Sequence, residues 1–126
     1  MKLCITGASG ILGTSLWDLP HARVLVDRRA APCDVGDAEF VQGDIRDPEL
    51  LDDLLKDCDA LIHLAGCSDS QSRDCEIEGA VERDNFKATK MAFDAAVRSG
   101  VSRIIYASSS HVMGMYEIDN APGIYE

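Results

Sequence analysis

Two segments of this 126-residue chain set chemically useful residues at informative spacing. The first is Thr6-Gly7-Ala8-Ser9-Gly10-Ile11-Leu12-Gly13, with a glycine at every third position. Backbone N–H groups at a helix N-terminus hold a pyrophosphate, provided no side chain keeps it away. Gly7 suits the tight turn, Gly10 the close approach of phosphate, and Gly13 the packing of a helix onto a sheet. Ser9, Ile11 and Leu12 belong to the same cradle. The second segment is Val24-Leu25-Val26-Asp27. A carboxylate ending a strand accepts hydrogen bonds from both ribose hydroxyls of NAD and repels a 2′-phosphate. Arg28 and Arg29 follow at once, and arginines there could accept the extra phosphate of NADP. The balance favours NAD as the cofactor.

These segments need a scaffold that brings strand ends together. Short apolar runs predict five strands: Lys2–Thr6, Arg23–Asp27, Glu39–Gln42, Ala60–Leu64 and Arg103–Ala107. Unbroken apolar runs of this length suit strands buried on both faces, as in parallel sheets. Asp47-Pro48-Glu49 is a helix start, with Asp as cap, Pro in the first position and Glu near the positive end. Leu50, Leu51, Leu54 and Leu55 then form one apolar face. A longer helix is expected from about Glu78 to Arg98, closed by Ser99-Gly100. A short helix is expected near Gly10, with Leu16 and Leu19 as its main core contacts. The order β-α-β-β-α-β-α-β predicts an α/β fold of Rossmann type. It is a doubly wound parallel sheet with helices on both faces, stopping after the fifth strand. His63-Leu64-Ala65-Gly66 ends strand four. Small residues at this edge let a cofactor lie over the sheet, and His63 itself reads as a buried strand histidine.

The G-x-x-G-x-x-G spacing resembles the short-chain dehydrogenase/reductase superfamily, in its extended epimerase/dehydratase branch. Other segments carry the same resemblance. Gly43-Asp44-Ile45-Arg46-Asp47 is similar to the family's adenine-contact segment. It implies that Asp44 accepts from the adenine amino group and Ile45 packs on the ring. His63-Leu64-Ala65-Gly66 is similar to the H-L-A-[AG] segment beside the cofactor, and Ala107 lies on the same edge. Asn85, in Asp84-Asn85-Phe86, matches the asparagine that supports the active-site geometry. Aligning Ala107-Ser108-Ser109-Ser110-His111-Val112-Met113-Gly114 on S-S-x-x-V-x-G implies that Ser109 is the catalytic serine, bonding a substrate oxygen. The run Arg103 to Tyr116 resembles uronate dehydrogenases and related sugar dehydrogenases. In that subgroup Ser68, Ser110 and His111 would face a sugar or nucleotide-sugar. Those enzymes carry an asparagine where this chain has Ser110, and an amide offers different hydrogen bonds from a hydroxyl.

Two departures stand out. Gly13 to Asp27 is about one helical turn shorter than the family pattern. The superfamily's general acid/base, the tyrosine of Y-x-x-x-K, also has no counterpart: Ser110 follows Tyr106 by four, Asn120 follows Tyr116, and Tyr125 is followed only by Glu126. The resemblance therefore implies the front part of an enzyme, residues 1–126 being the NAD-binding domain without the substrate lobe. The fifth strand would leave apolar surface open, which favours a homo-oligomer or a complementing second half.

Composition narrows the remaining choices. A formal charge of −10 disfavours nucleic-acid binding. No apolar run reaches about 18 residues, so no membrane span is expected. The N-terminus does not read as a signal peptide, which makes the cytoplasm the expected compartment. Five cysteines without C-x-x-C spacing point to reduced thiols and no metal site. Three functions stay open: an NAD-dependent sugar dehydrogenase, epimerase or dehydratase; a non-catalytic dinucleotide-binding module; and an inactive fragment.

Overall fold

The computed structural model describes residues 1–67 and 80–109. Its elements run β1 (Lys2–Thr6), α1 (Ile11–Thr14), β2 (Ala22–Asp27), β3 (Glu39–Gln42), α2 (Pro48–Leu55), β4 (Ala60–His63), α3 (Ala80–Arg98) and β5 (Arg103–Tyr106). The strands form one parallel sheet in the order β3-β2-β1-β4-β5. This is the doubly wound arrangement expected from the element order. The chain leaves β1 toward β2 on one side and returns to β4 on the other. The strand order therefore reverses at β1, where open α/β sheets form their crevice.

Alternation along the strands separates two cores. Cys4, Val24, Val26 and Leu61 point to one face, where Leu51, Leu54 and Leu55 of α2 and Ala92, Ala95 and Ala96 of α3 cover them. Leu3, Ile5, Leu25, Ala60 and Ile62 point to the other, beneath Ala8 and Trp17. The first face is built from regular amphipathic helices. Asp47 caps α2, its carboxylate accepting from the amides of Glu49 at 3.0 Å and Leu50 at 3.4 Å. After α3 the amide of Val101 bonds Ala96 O and that of Gly100 bonds Val97 O, a Schellman closure.

The second face is thinner. α1 has only four residues, and no helix lies between β2 and β3, where Ala31, Val35 and Ala38 of the connecting loop pack instead. Here the structure corrects one expectation. Leu16 and Leu19 are only partly buried, and Trp17 is the main core contact of this segment. Its indole donates to Ala8 O at 3.0 Å. With the helix this short, one bulky ring fills the gap that two leucines of a longer helix would fill. Arg23, a buried charge on β2, adds a second prop. Its guanidinium bonds the carbonyls of Leu19 and His21 beyond α1 and the carboxylate of Asp37 in the next loop.

Among the described residues β5 is an edge strand, and its Ile105 and Tyr106 are about half exposed. No helix among the described residues is long and apolar enough to cross a membrane.

Candidate functional site

The carboxyl ends of β1, β2 and β4 meet in register: Thr6 lies opposite Val26 on one side and His63 on the other. The glycine loop leaves β1 at this point. Gly7 has φ +72°, and a Cβ there would lie 2.6 Å from the amide nitrogen of Ala65. A Cβ on Gly13 would lie 2.3 Å from Gly7 O. Both glycines are thus required by close packing, Gly7 against the end of β4 and Gly13 against the loop itself. The loop closes through Gly10 N–H to Gly7 O at 3.0 Å and Thr14 N–H to Gly10 O at 2.9 Å. The amides of Ile11, Leu12 and Gly13, in the first turn of α1, have no partner among the described residues. Ile11 and Leu12 are exposed, whereas Gly13 is buried.

Asp27 sits directly beside this loop. Its carboxylate accepts from Ser9 N–H at 3.0 Å and from Arg29 N–H at 2.9 Å. The Arg29 guanidinium lies 3.6 Å from the same carboxylate. A carboxylate has about four acceptor positions, and the two backbone amides take two of them on this buried side chain. The Ser9 hydroxyl donates to Ala30 O at 3.2 Å and fixes the β2 exit against the loop. Arg28 is exposed, and its carbonyl accepts from the Gln42 side chain at 3.0 Å. The cradle and the acid are therefore joined by hydrogen bonds, not merely adjacent.

The other predicted residues divide into groups. Asp44 is paired with Arg46, whose guanidinium reaches it at 2.6 Å, and this holds the carboxyl below its ordinary pKa. Ile45 is buried among the α2 leucines and supports the core. Leu64 and Ala65 are half-buried, Gly66 is exposed, and Asn85 faces this stretch from α3. Asn85 grips the backbone of Cys67 twice: Oδ1 accepts from its N–H and Nδ2 donates to its carbonyl, each at 2.8 Å. Ala107 donates its amide to His63 O at 3.1 Å, and Ser109 is exposed two residues further on. Ser68, Ser110 and His111 lie outside the described residues.

The cysteine expectation needs correction. Cys4, Cys33 and Cys58 are free thiols, but Cys67 is disulfide-bonded. Spacing along the chain speaks only to local motifs, and folding can pair cysteines that no motif links. Burial pushes the Cys4 thiol up to about 12, so it is inert. No group of metal ligands occurs among the described residues.

Sequence reasoning missed the hydroxyl partners of His63. The ring is buried, with Nδ1 2.7 Å from Thr6 Oγ1 and Nε2 3.2 Å from Thr89 Oγ1. It stacks on Tyr106 at 5.6 Å. Burial lowers its pKa to about 4, so the ring is neutral near pH 7. A threonine following the apolar run Leu3-Cys4-Ile5 was the one available signal.

The fold and the glycine cradle at the reversal of strand order define a dinucleotide-type Rossmann domain. The chain belongs to the NAD dependent epimerase/dehydratase family, which it matches over residues 3–123. It is 36% identical to a uronate dehydrogenase of Pseudomonas syringae pv. tomato, over 92% of this chain and 42% of that protein. Identity to an NAD-dependent glucose-6-phosphate dehydrogenase of Haloferax volcanii is 32%, over 96% of this chain and 48% of that one. Among solved structures, MoeE5 in complex with UDP-glucose and NAD superposes with a TM-score of 0.75 and 32% identity, covering 90% of this chain and 38% of MoeE5. The chain thus spans less than half the length of each of these proteins.

Proposed function

We propose that this chain is the dinucleotide-binding part of an NAD-dependent enzyme acting on a sugar or nucleotide-sugar. The observation that carries the reading is the hydrogen-bonded unit of glycine loop and Asp27, with the unpartnered amides of the first turn of α1 beside it. The free amides of Ile11, Leu12 and Gly13 suit the pyrophosphate, with Gly7, Ser9 and Gly10 shaping the approach. The Asp27 carboxylate suits a ribose diol and opposes a 2′-phosphate, with Arg28 at its margin. Asp44 forms the adenine side, with Ile45 in the core behind it, and Leu64, Ala65, Gly66 and Ala107 form the floor. Asn85 fixes the exit of β4, and Ser109 bonds the substrate oxygen. Bound NAD would supply the acceptor or donor for hydride at a sugar carbon. Similarity to enzymes named for NAD, uronate and glucose derivatives supports this substrate class.

Titration with NAD and NADP by calorimetry tests the reading. Saturable NAD binding, weaker for NADP and weakened by Asp27→Ala, is expected. A cooperatively folded chain that binds neither nucleotide overturns it. A second reading is a dinucleotide-binding module without turnover. Binding without NAD reduction by uronic acids or sugar phosphates is its signature.

A further inference from the structure

A continuous polar chain crosses the core beneath the candidate site. Thr89 of α3 meets His63 Nε2 at 3.2 Å, His63 Nδ1 meets Thr6 Oγ1 at 2.7 Å, and Thr6 Oγ1 accepts from Ala65 N–H at 3.3 Å. Among the described residues the one acceptor within reach of the Thr6 hydroxyl proton is Nδ1 of His63. That assignment makes Nδ1 an acceptor and puts the ring proton on Nε2, donating to Thr89. The Ala65 amide at the end of this chain is the atom against which Gly7 packs. At the other end, Thr89 lies one turn after Asn85 on the same side of α3. Thr89 reaches His63 where Asn85 reaches Cys67, so two polar ties hold α3 to β4 and its exit.

We propose that His63 is a positioning residue for the dinucleotide. It joins the seating of α3, and hence the Asn85 clamp, to the Ala65 amide and the phosphate loop packed on it. The ring's two nitrogens allow one side chain to bond two hydroxyls on opposite sides, one on β1 and one on α3. Phe93 and Tyr106 hold the ring edge-on and face-on, which fixes its plane. This inference rests on the edge being the dinucleotide site.

The test is a double-mutant cycle in the full chain, read as NAD affinity by calorimetry. Thr6→Val and Thr89→Val each remove one link, and each is expected to weaken binding about fivefold, the worth of a typical hydrogen bond. Combined, they should stay near fivefold, because both break the same chain. Thr6→Ser and Thr89→Ser should restore affinity to within about twofold, since they return the hydroxyl. Folded single variants that bind like the wild type, or a double variant near twenty-five-fold, overturn the inference while leaving NAD binding intact. A wild-type chain that does not bind NAD removes both. Nitrogen chemical shifts of His63 give a readout independent of variant folding. A proton on Nε2 is expected, and a proton on Nδ1 contradicts the chain.

Discussion

The two faces of the sheet are built differently. One is covered by α2 and α3 and sealed with leucine and alanine. The other is covered by a four-residue helix, a single tryptophan and a loop, tied down by Arg23. The thick face is stabilised by repetitive apolar burial, which tolerates substitution position by position. The thin face depends on a few individual groups, and one of them, Trp17, bonds Ala8 in the glycine loop. Stability and ligand binding should therefore be separable at the apolar positions of the thick face and coupled on the thin one.

Trp17→Ala and Leu55→Ala test this coupling with the largest effects. Each should cost about 3–4 kcal/mol in denaturant unfolding, as large-to-small changes in a core do. Only Trp17→Ala should also abolish NAD binding in the folded fraction, because its indole bonds Ala8 in the loop. Equal losses of binding in both would erase the distinction.

A smaller effect comes from His63, on the thick side. Its folded pKa of about 4 lies below the ordinary 6.5, so the unfolded chain takes up the proton first. Its neutral ring costs nothing above pH 6.5, and stability falls as pH drops from there toward 4, by roughly 3 kcal/mol in all. Unfolding curves for wild type and His63→Gln between pH 7 and 4.5 should diverge in slope. Parallel curves would contradict the burial of a neutral imidazole.

Ion pairs sharpen the comparison at the lower end. Arg23 is 7% exposed and its partner Asp37 87% exposed, whereas Arg98 and Asp52 are both about half exposed. Asp37→Ala should cost about 1 kcal/mol, since it leaves a buried cation without its carboxylate. Asp52→Ala should cost about 0.5 kcal/mol or less, as exposed pairs do. Chemical unfolding at low salt distinguishes them, and a larger cost at Asp52 would reverse the account.

What was legible in the sequence follows from the same contrast. Strands buried on both faces leave apolar runs, as β1, β2 and β4 do, and all five strands were readable to within one residue. Asp47-Pro48 and Gly100 announce helix ends by local chemistry and were equally plain. The thin face was not readable, because Trp17 and Arg23 act through contacts with Ala8, Leu19, His21 and Asp37 that no periodicity encodes. For the candidate site, the glycine loop and Asp27 stood out, since each needs a residue type at one place. The hydrogen bond joining them, the Asn85 grip on Cys67 and the His63 chain depend on strand order and helix seating. The Cys67 disulfide escaped for the same reason.

The most direct test of the central claim is amide chemical-shift mapping of the chain during NAD titration. The account predicts the largest shifts at Ile11, Leu12 and Gly13, with Ser9, Asp27 and Arg29 close behind and the α2 amides unchanged. Shifts centred away from the carboxyl ends of β1 and β2, or none at all in a folded chain, would contradict it.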